Sequence, residues 1–366
     1  MNNKWFLSFS VALVVVMFLA GCSPNDEPGG KHARGTPLNL EAAEPVELKL
    51  QDYNGGFFTI KIPENWVMET TGEYENFGFR AHDPDCPGRQ IFFYGNMQPF
   101  LKSTEAKEFW TNYLAGGGYG DAQLYADALV LSPPTTEQFY SLFGDFTALA
   151  KKYGIVHNFP RLNKLKVLES MPQNSPIGAQ ALDDTIIRAL FTDDGISCEG
   201  LFAGSVFDFL TYDVGVVDSG HYVVYVVTGI SAPADEFLFL EETLAQSLGS
   251  FQFDQSYIQQ GVAKIEWETE KALEIGKTLS EATNSYNQAW HDRQPAKDTV
   301  GQKDSDKTLG YDRLYDTVTG ETYRAELGFY DEYDHNREQF ANPNLERVPD
   351  DGYELYGKAV SGYIYK

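Results

Sequence analysis

Phe58-Thr59-Ile60-Lys61-Ile62-Pro63-Glu64-Asn65-Trp66 alternates apolar and polar side chains for five residues, then turns at a proline. A period of two with β-branched residues predicts a strand with one buried face. Asn54-Gly55, just upstream, is a hairpin signal joining this strand to an earlier run over 46–50. Downstream, residues 67–70, 77–81 and 90–94 carry further β-rich runs. The chain therefore opens its folded part with antiparallel strands.

Farther out, 104–114 has helical spacing and stops at Gly116-Gly117-Gly118. After Pro133-Pro134, Thr135 with Gln138 three residues on forms a capping-box signature. Phe139, Leu142, Phe143, Phe146, Leu149 and Tyr153 then make one continuous helical face. Strands return at 165–171, 185–192, 199–209 and 221–230, with Asp193-Asp194-Gly195 as the turn between two of them. A helix over 235–248 and a short strand, Ser250-Phe251-Gln252-Phe253, close the unit. Most strands alternate, which predicts an α+β fold: an antiparallel sheet with one face buried under helices.

Both ends of this unit resemble PsbP-like domains. The opening run Phe58–Trp66 and the closing Gly249-Ser250-Phe251-Gln252-Phe253 after a helix carry the likeness, which covers 46–254. The whole chain is also similar to envelope lipoproteins of anaerobic Gram-positive bacteria. PsbP-like domains are in general accessory and assembly factors, so the resemblance implies a non-enzymatic role by analogy of fold alone.

The N-terminus reads as an address. Lys4 precedes a nearly unbroken apolar run from Trp5 to Ala20, and the run ends in Leu19-Ala20-Gly21-Cys22. The run is short for a membrane span and ends in small residues, as a cleaved signal does. The tetrapeptide resembles a lipobox, which implies cleavage after residue 21 and lipid on Cys22. Acyl chains each contribute about 0.8 kcal/mol per buried CH₂, so such a chain is anchored to a cell membrane and faces outside the cytoplasm. Residues 22–45, with Pro24, Pro28, Gly29, Gly30, Gly35 and Pro37, read as a flexible tether.

Once residues 1–21 are removed, 27 basic residues face 53 acidic ones. That balance excludes a nucleic-acid binder, which needs a basic footprint, and opposes electrostatic docking to anionic lipid. The expected partners are the membrane, through the lipid, and an envelope protein or a cell-wall glycan.

Beyond the α+β unit, 255–293 reads as one long helix. Its four-and-three spaced positions are Ile258, Val262, Ile265, Thr269, Ala272, Gly276, Leu279, Thr283, Tyr286 and Trp290. Several are small or hydroxyl-bearing, which favours packing on the protein itself over a coiled coil. The segment 294–366 reads as a small β tail, with hairpins expected at Val318-Thr319-Gly320 and after Asp350-Asp351-Gly352. Nine of the 22 tyrosines fall after residue 300, so Tyr311, Tyr315, Tyr323, Tyr330, Tyr353 and Tyr356 form a candidate binding surface. Core and cross-strand packing is the competing explanation.

Catalytic signatures are sparse. The six histidines are scattered, with no pair at helical spacing and no Cys-x-x-Cys, so no metal site and no cofactor are expected. His82-Asp83-Pro84-Asp85-Cys86 is the densest mixed cluster, and its prolines make it a turn. Asp83 and Asp85 begin an EF-hand-like spacing, but Tyr94 stands where the closing glutamate belongs. Cys86 and Cys198 are an even pair in a compartment that permits disulfides, and so a candidate bridge. No catalytic residue is assigned. A binding or assembly role at the envelope is expected first, glycan binding through the tyrosines second, and a hydrolase built on an unrecognised pair of acids third.

Overall fold

The structure is a computed structural model that describes residues 35–43, 46–215, 217–264 and 295–366. Its centre is an antiparallel sheet with strands in the order Val67–Thr71, Gly78–His82, Gln90–Leu101, His221–Pro233, Ile196–Leu210, Asp183–Asp193 and Asn163–Pro172. A short strand, Leu129–Val130, pairs in parallel with the end of Gln90–Leu101. The fold is α+β, as expected, with a mostly antiparallel sheet. The turn at Asp194-Gly195 has both residues at positive φ, 46° and 89°, which matches the twist of a two-residue hairpin.

The sheet differs from the expectation in being covered on both faces. Along Gln90–Leu101, Ile91 and Phe93 join one core while Phe92 and Tyr94 join the other. Leu201 and Phe202, and Val223 and Val224, divide in the same way. These strands are continuous apolar runs rather than alternating ones, and such runs need cover on both sides. The first face carries the helix Phe237–Gly249 and a three-stranded sheet of Leu50–Asn54, Phe58–Pro63 and Gln252–Phe253. The second carries the helices Thr136–Ser141 and Phe143–Lys152.

Those two helices were expected as one. Thr135 caps the first, its hydroxyl accepting from Gln138 N at 3.2 Å. The break falls at Leu142, next to Ser141, whose hydroxyl donates to the Gln138 carbonyl at 2.7 Å and competes with the helical bond there.

A second, five-stranded sheet has the order Asn39–Ala42, Val360–Tyr365, Thr322–Glu326, Tyr311–Asp316, Leu345–Arg347. Three expectations fail here. Residues 39–42 lie in the expected tether, yet they pair antiparallel with the last strand, Asn39 opposite Tyr365. Residues 295–309, expected in a β tail, form a helix. Tyr353–Tyr356 is a helical turn rather than half of a hairpin, and Val360–Tyr365 pairs in parallel with Thr322–Glu326 instead. The long helix expected over 255–293 is described as Gln255–Lys264; the rest lies outside the described residues.

The two sheets meet through a buried polar network. Arg188 and Glu199, paired on neighbouring strands of the central sheet, are both fully buried. Ser305 Oγ donates to the second oxygen of Glu199 at 2.6 Å, and Gln302 Oε1 accepts from Arg188 at 3.2 Å. Asp306, one residue on, receives Arg313 and Arg324, each Nε at 2.9 Å. Arg324 also donates to the carbonyl of Ala234 at 3.0 Å, at the end of the central sheet.

Candidate functional site

At one end of the central sheet the chain builds an aromatic pocket. Ser103 starts the helix Thr104–Ala115 by accepting from Ala106 N at 3.1 Å. Phe109, Trp110 and Tyr113 stand on neighbouring positions of that helix. Gly118 N bonds the Tyr113 carbonyl at 2.9 Å, and the Tyr113 ring lies where a side chain at residue 118 would stand, 2.5 Å from a Cβ there. Glycine is thus required at 118 by close approach. At 117 and 120 it is favoured by positive φ, 90° and 69°.

The glycine loop turns the chain into a second, short helix, Ala122–Asp127, which lies against the first. Lys107 fastens the pair by donating to the Ala128 carbonyl at 2.7 Å. Tyr125 stacks on Trp110 with ring centroids 4.6 Å apart and planes 20° from parallel. The Trp110 indole N–H donates to the Ser219 carbonyl at 2.8 Å, which ties the helix to the loop before the strand His221–Pro233. Leu210 and Tyr212 complete the opposite wall, around a cavity of about 350 Å³. Pockets for small organic ligands begin near this size, at roughly 300 Å³.

Two of the rings face solvent strongly: Tyr119 is 85% exposed and Tyr212 54%. Asp121 is the sole charged side chain on the wall. It occupies the N-cap position of the short helix without making the cap hydrogen bond. Burial, and then the charge of Asp121, raise the Tyr125 phenol above its ordinary value. The nearby ammonium of Lys102 is already held between Asp208 and Asp218, 2.6 Å from each. Behind Tyr125, His221 is driven down to about 4 by burial and then by Lys102, so it stands neutral at ordinary pH.

A second cavity of about 620 Å³ lies between Glu69, Thr70, Lys151, Ile155, Val156, His157 and Asn158. His157 is already committed there, its Nε2 lying 2.9 Å from the Tyr94 hydroxyl. The aromatic pocket has the more selective chemistry of the two.

The residues expected to form a site are placed differently. Cys22 lies outside the described residues. Cys86 and Cys198 are two free thiols rather than a bridge. Burial raises both, and Cys198, shut beneath Gly88, is pushed up to about 12, which leaves it an unreactive thiol. The tyrosine surface is not a surface. Tyr323, Tyr330 and Tyr356 are buried, Tyr311 and Tyr315 half-buried, and of the six Tyr353 alone is exposed. Tyr323 and Tyr330 belong to the core of the five-stranded sheet, and Tyr311, Tyr330 and Tyr356 pack on arginines: Tyr330 lies under Arg347, ring centroid 4.8 Å from the guanidinium.

Among the described residues no group of three or more His, Cys, Asp or Glu side chains could hold a metal ion. Several of the paired acids are spoken for, whereas Asp193 is buried with neither carboxylate oxygen hydrogen-bonded among the described residues, and burial raises its carboxyl above the ordinary value. Asp183 accepts from Thr136 N, Asp184 from Ser175 and Ser205, and Asp83 from Arg89, each within 2.9 Å. Sequence reasoning passed over the aromatic pocket, reading 116–118 only as a helix stop. The available signal was three aromatics at 109, 110 and 113 running straight into Gly-Gly-Gly-Tyr-Gly. Set against known proteins, the chain matches no family model and no curated protein.

Proposed function

We propose that the chain is a non-enzymatic lipoprotein of the cell envelope, anchored through Cys22, which binds a small ligand in the pocket between Trp110 and Tyr212. The aromatic pocket is the observation that carries the binding reading. Leu19-Ala20-Gly21-Cys22 after an apolar run supports the anchor. A PsbP-like origin of the α+β unit is supported by the meeting of its two quoted ends: Phe253 pairs with Phe58 and Gln252 with Thr59.

Metabolic labelling with an alkyne fatty acid tests the anchor. Wild type is expected to carry label and to fractionate with membranes, and Cys22→Ser to lose both. Label on the serine variant sinks this part of the reading. Ligand binding by the solubilised protein, lost in Tyr119→Ala and Tyr212→Ala, tests the pocket. Turnover of an envelope substrate by the purified protein would overturn the non-enzymatic role.

Binding of a wall glycan is the second reading. It moves from the buried tail tyrosines to the pocket, where the exposed rings of Tyr119 and Tyr212 suit stacking on a sugar.

A further inference from the structure

We infer that the aromatic pocket takes a small organic ammonium, a cation whose charge is spread over methyl or methylene groups. This deepens the binding reading above and rests on it. Trp110, Tyr113, Tyr119 and Tyr212 offer π faces or edges around one cavity, and an aromatic face attracts a cation within about 6 Å of its centre. The wall carries one charge, the carboxylate of Asp121, and no arginine or lysine. That carboxylate makes neither a cap bond nor an ion pair among the described residues, so it is available to a ligand. An anionic ligand would meet a negative wall with no cation to balance it.

A sugar ring is a poorer match, because a ring of hydroxyls requires several fixed polar partners. Here the groups of Ser219 and the Trp110 N–H are engaged internally, and apart from Asp121 the other polar side-chain groups of the wall are the hydroxyls at the tips of its tyrosine rings. The Ser219 carbonyl takes the Trp110 N–H, and the Ser219 hydroxyl donates to the Tyr212 carbonyl at 3.0 Å. Apolar faces with a single free carboxylate fit a ligand that is apolar in shape and positive in charge. The chain's net charge of −25 adds a long-range pull of the same sign.

The test is calorimetric titration of the detergent-solubilised full-length protein with choline, with its neutral tert-butyl carbon isostere, and with N-acetylglucosamine. Choline is expected to bind at least about tenfold more tightly than the isostere, which has the same shape without the charge. Asp121→Asn, which removes no internal bond, is expected to erase most of that preference, and Tyr119→Ala and Tyr212→Ala to weaken both ligands. Equal affinity for choline and the isostere overturns the ammonium inference but leaves an apolar binding pocket standing. Binding of N-acetylglucosamine without choline also overturns it and transfers the pocket to glycans. No heat from any of the three at millimolar concentration defeats the inference and the pocket reading together.

Discussion

Asp306 is nearly fully buried between two arginines, and its substitution tests how the protein tolerates charge in its interior. Burial works against its ionised form, but Arg313 and Arg324 outweigh burial and hold the carboxyl below its ordinary value. Asp306→Ala removes the counter-charge and leaves two guanidiniums in a dry site. A loss of about 3–5 kcal/mol is expected in urea unfolding, because an uncompensated buried charge costs far more than an exposed pair contributes. Arg347, half-exposed between Asp312 and Asp331, is the control: its alanine variant should lose less than about 1 kcal/mol.

Histidine sets the acid limit at the same scale. Burial, first, and neighbouring cations push His157 and His221 from 6.5 to about 4 in the folded chain. Below about pH 6.5 the unfolded chain takes up protons that the folded one refuses, so stability falls as pH drops through that window toward about 4. The urea midpoint should decline there, and less so in His157→Gln; a flat profile would show that neither histidine is held neutral. Both effects were invisible in the sequence, where His157 and His221 are isolated residues with no neighbour to shift them.

Among the elements, the strand Asn39–Ala42 is the least expected. Its composition, Asn-Leu-Glu-Ala, is ordinary, and its side chains are exposed, so periodicity carries no signal. It forms because the last strand, Val360–Tyr365, otherwise presents an open edge, and backbone pairing at an edge needs little from side chains. Deleting 35–43 should strip hydrogen-exchange protection from alternate amides of 360–365 and leave the central sheet protected. Unchanged exchange in 360–365 would mean that the pairing does not persist in solution. The helix Pro295–Leu309 escaped notice for a related reason. Its buried positions include Gln302, Ser305 and Asp306, a polar stripe that no hydrophobic pattern reveals. Conversely, the strands at 183–193 and 196–210 were legible because their apolar runs flank an Asp-Gly turn.

At the scale of the molecule, the central sheet is bonded directly to the five-stranded sheet and to the helix Pro295–Leu309, by two buried hydrogen bonds and one exposed one. Ser305 to Glu199 and Arg324 to Ala234 are the buried pair, and Tyr363 to Asp235 at 2.6 Å is the exposed bond. Unfolding should therefore be a single transition, with tryptophan fluorescence and far-ultraviolet circular dichroism giving the same midpoint. Two separated midpoints would show that the sheets are independent. With this coupling, the stretch after the expected lipid anchor enters the fold by residue 36, where Thr36 N bonds the Gln339 carbonyl at 2.6 Å.

Local chemistry by itself determined the α+β class, most central strands, the Thr135 cap and the Asp194-Gly195 turn, because each depends on neighbours within a few residues. The lipobox-like tetrapeptide is legible on the same terms, as a linear signal. Burial of the tail tyrosines, the free state of the Cys86 and Cys198 thiols, and the pairing of residue 39 with residue 365 were decided only in three dimensions. So was the pocket. Trp110 and Tyr212 are about a hundred residues apart in the chain, and they face one cavity only because Ser219 anchors the indole. Side-chain pattern governs what a segment becomes, whereas the partners a sheet edge or a buried charge acquires depend on which segments the folded chain brings together.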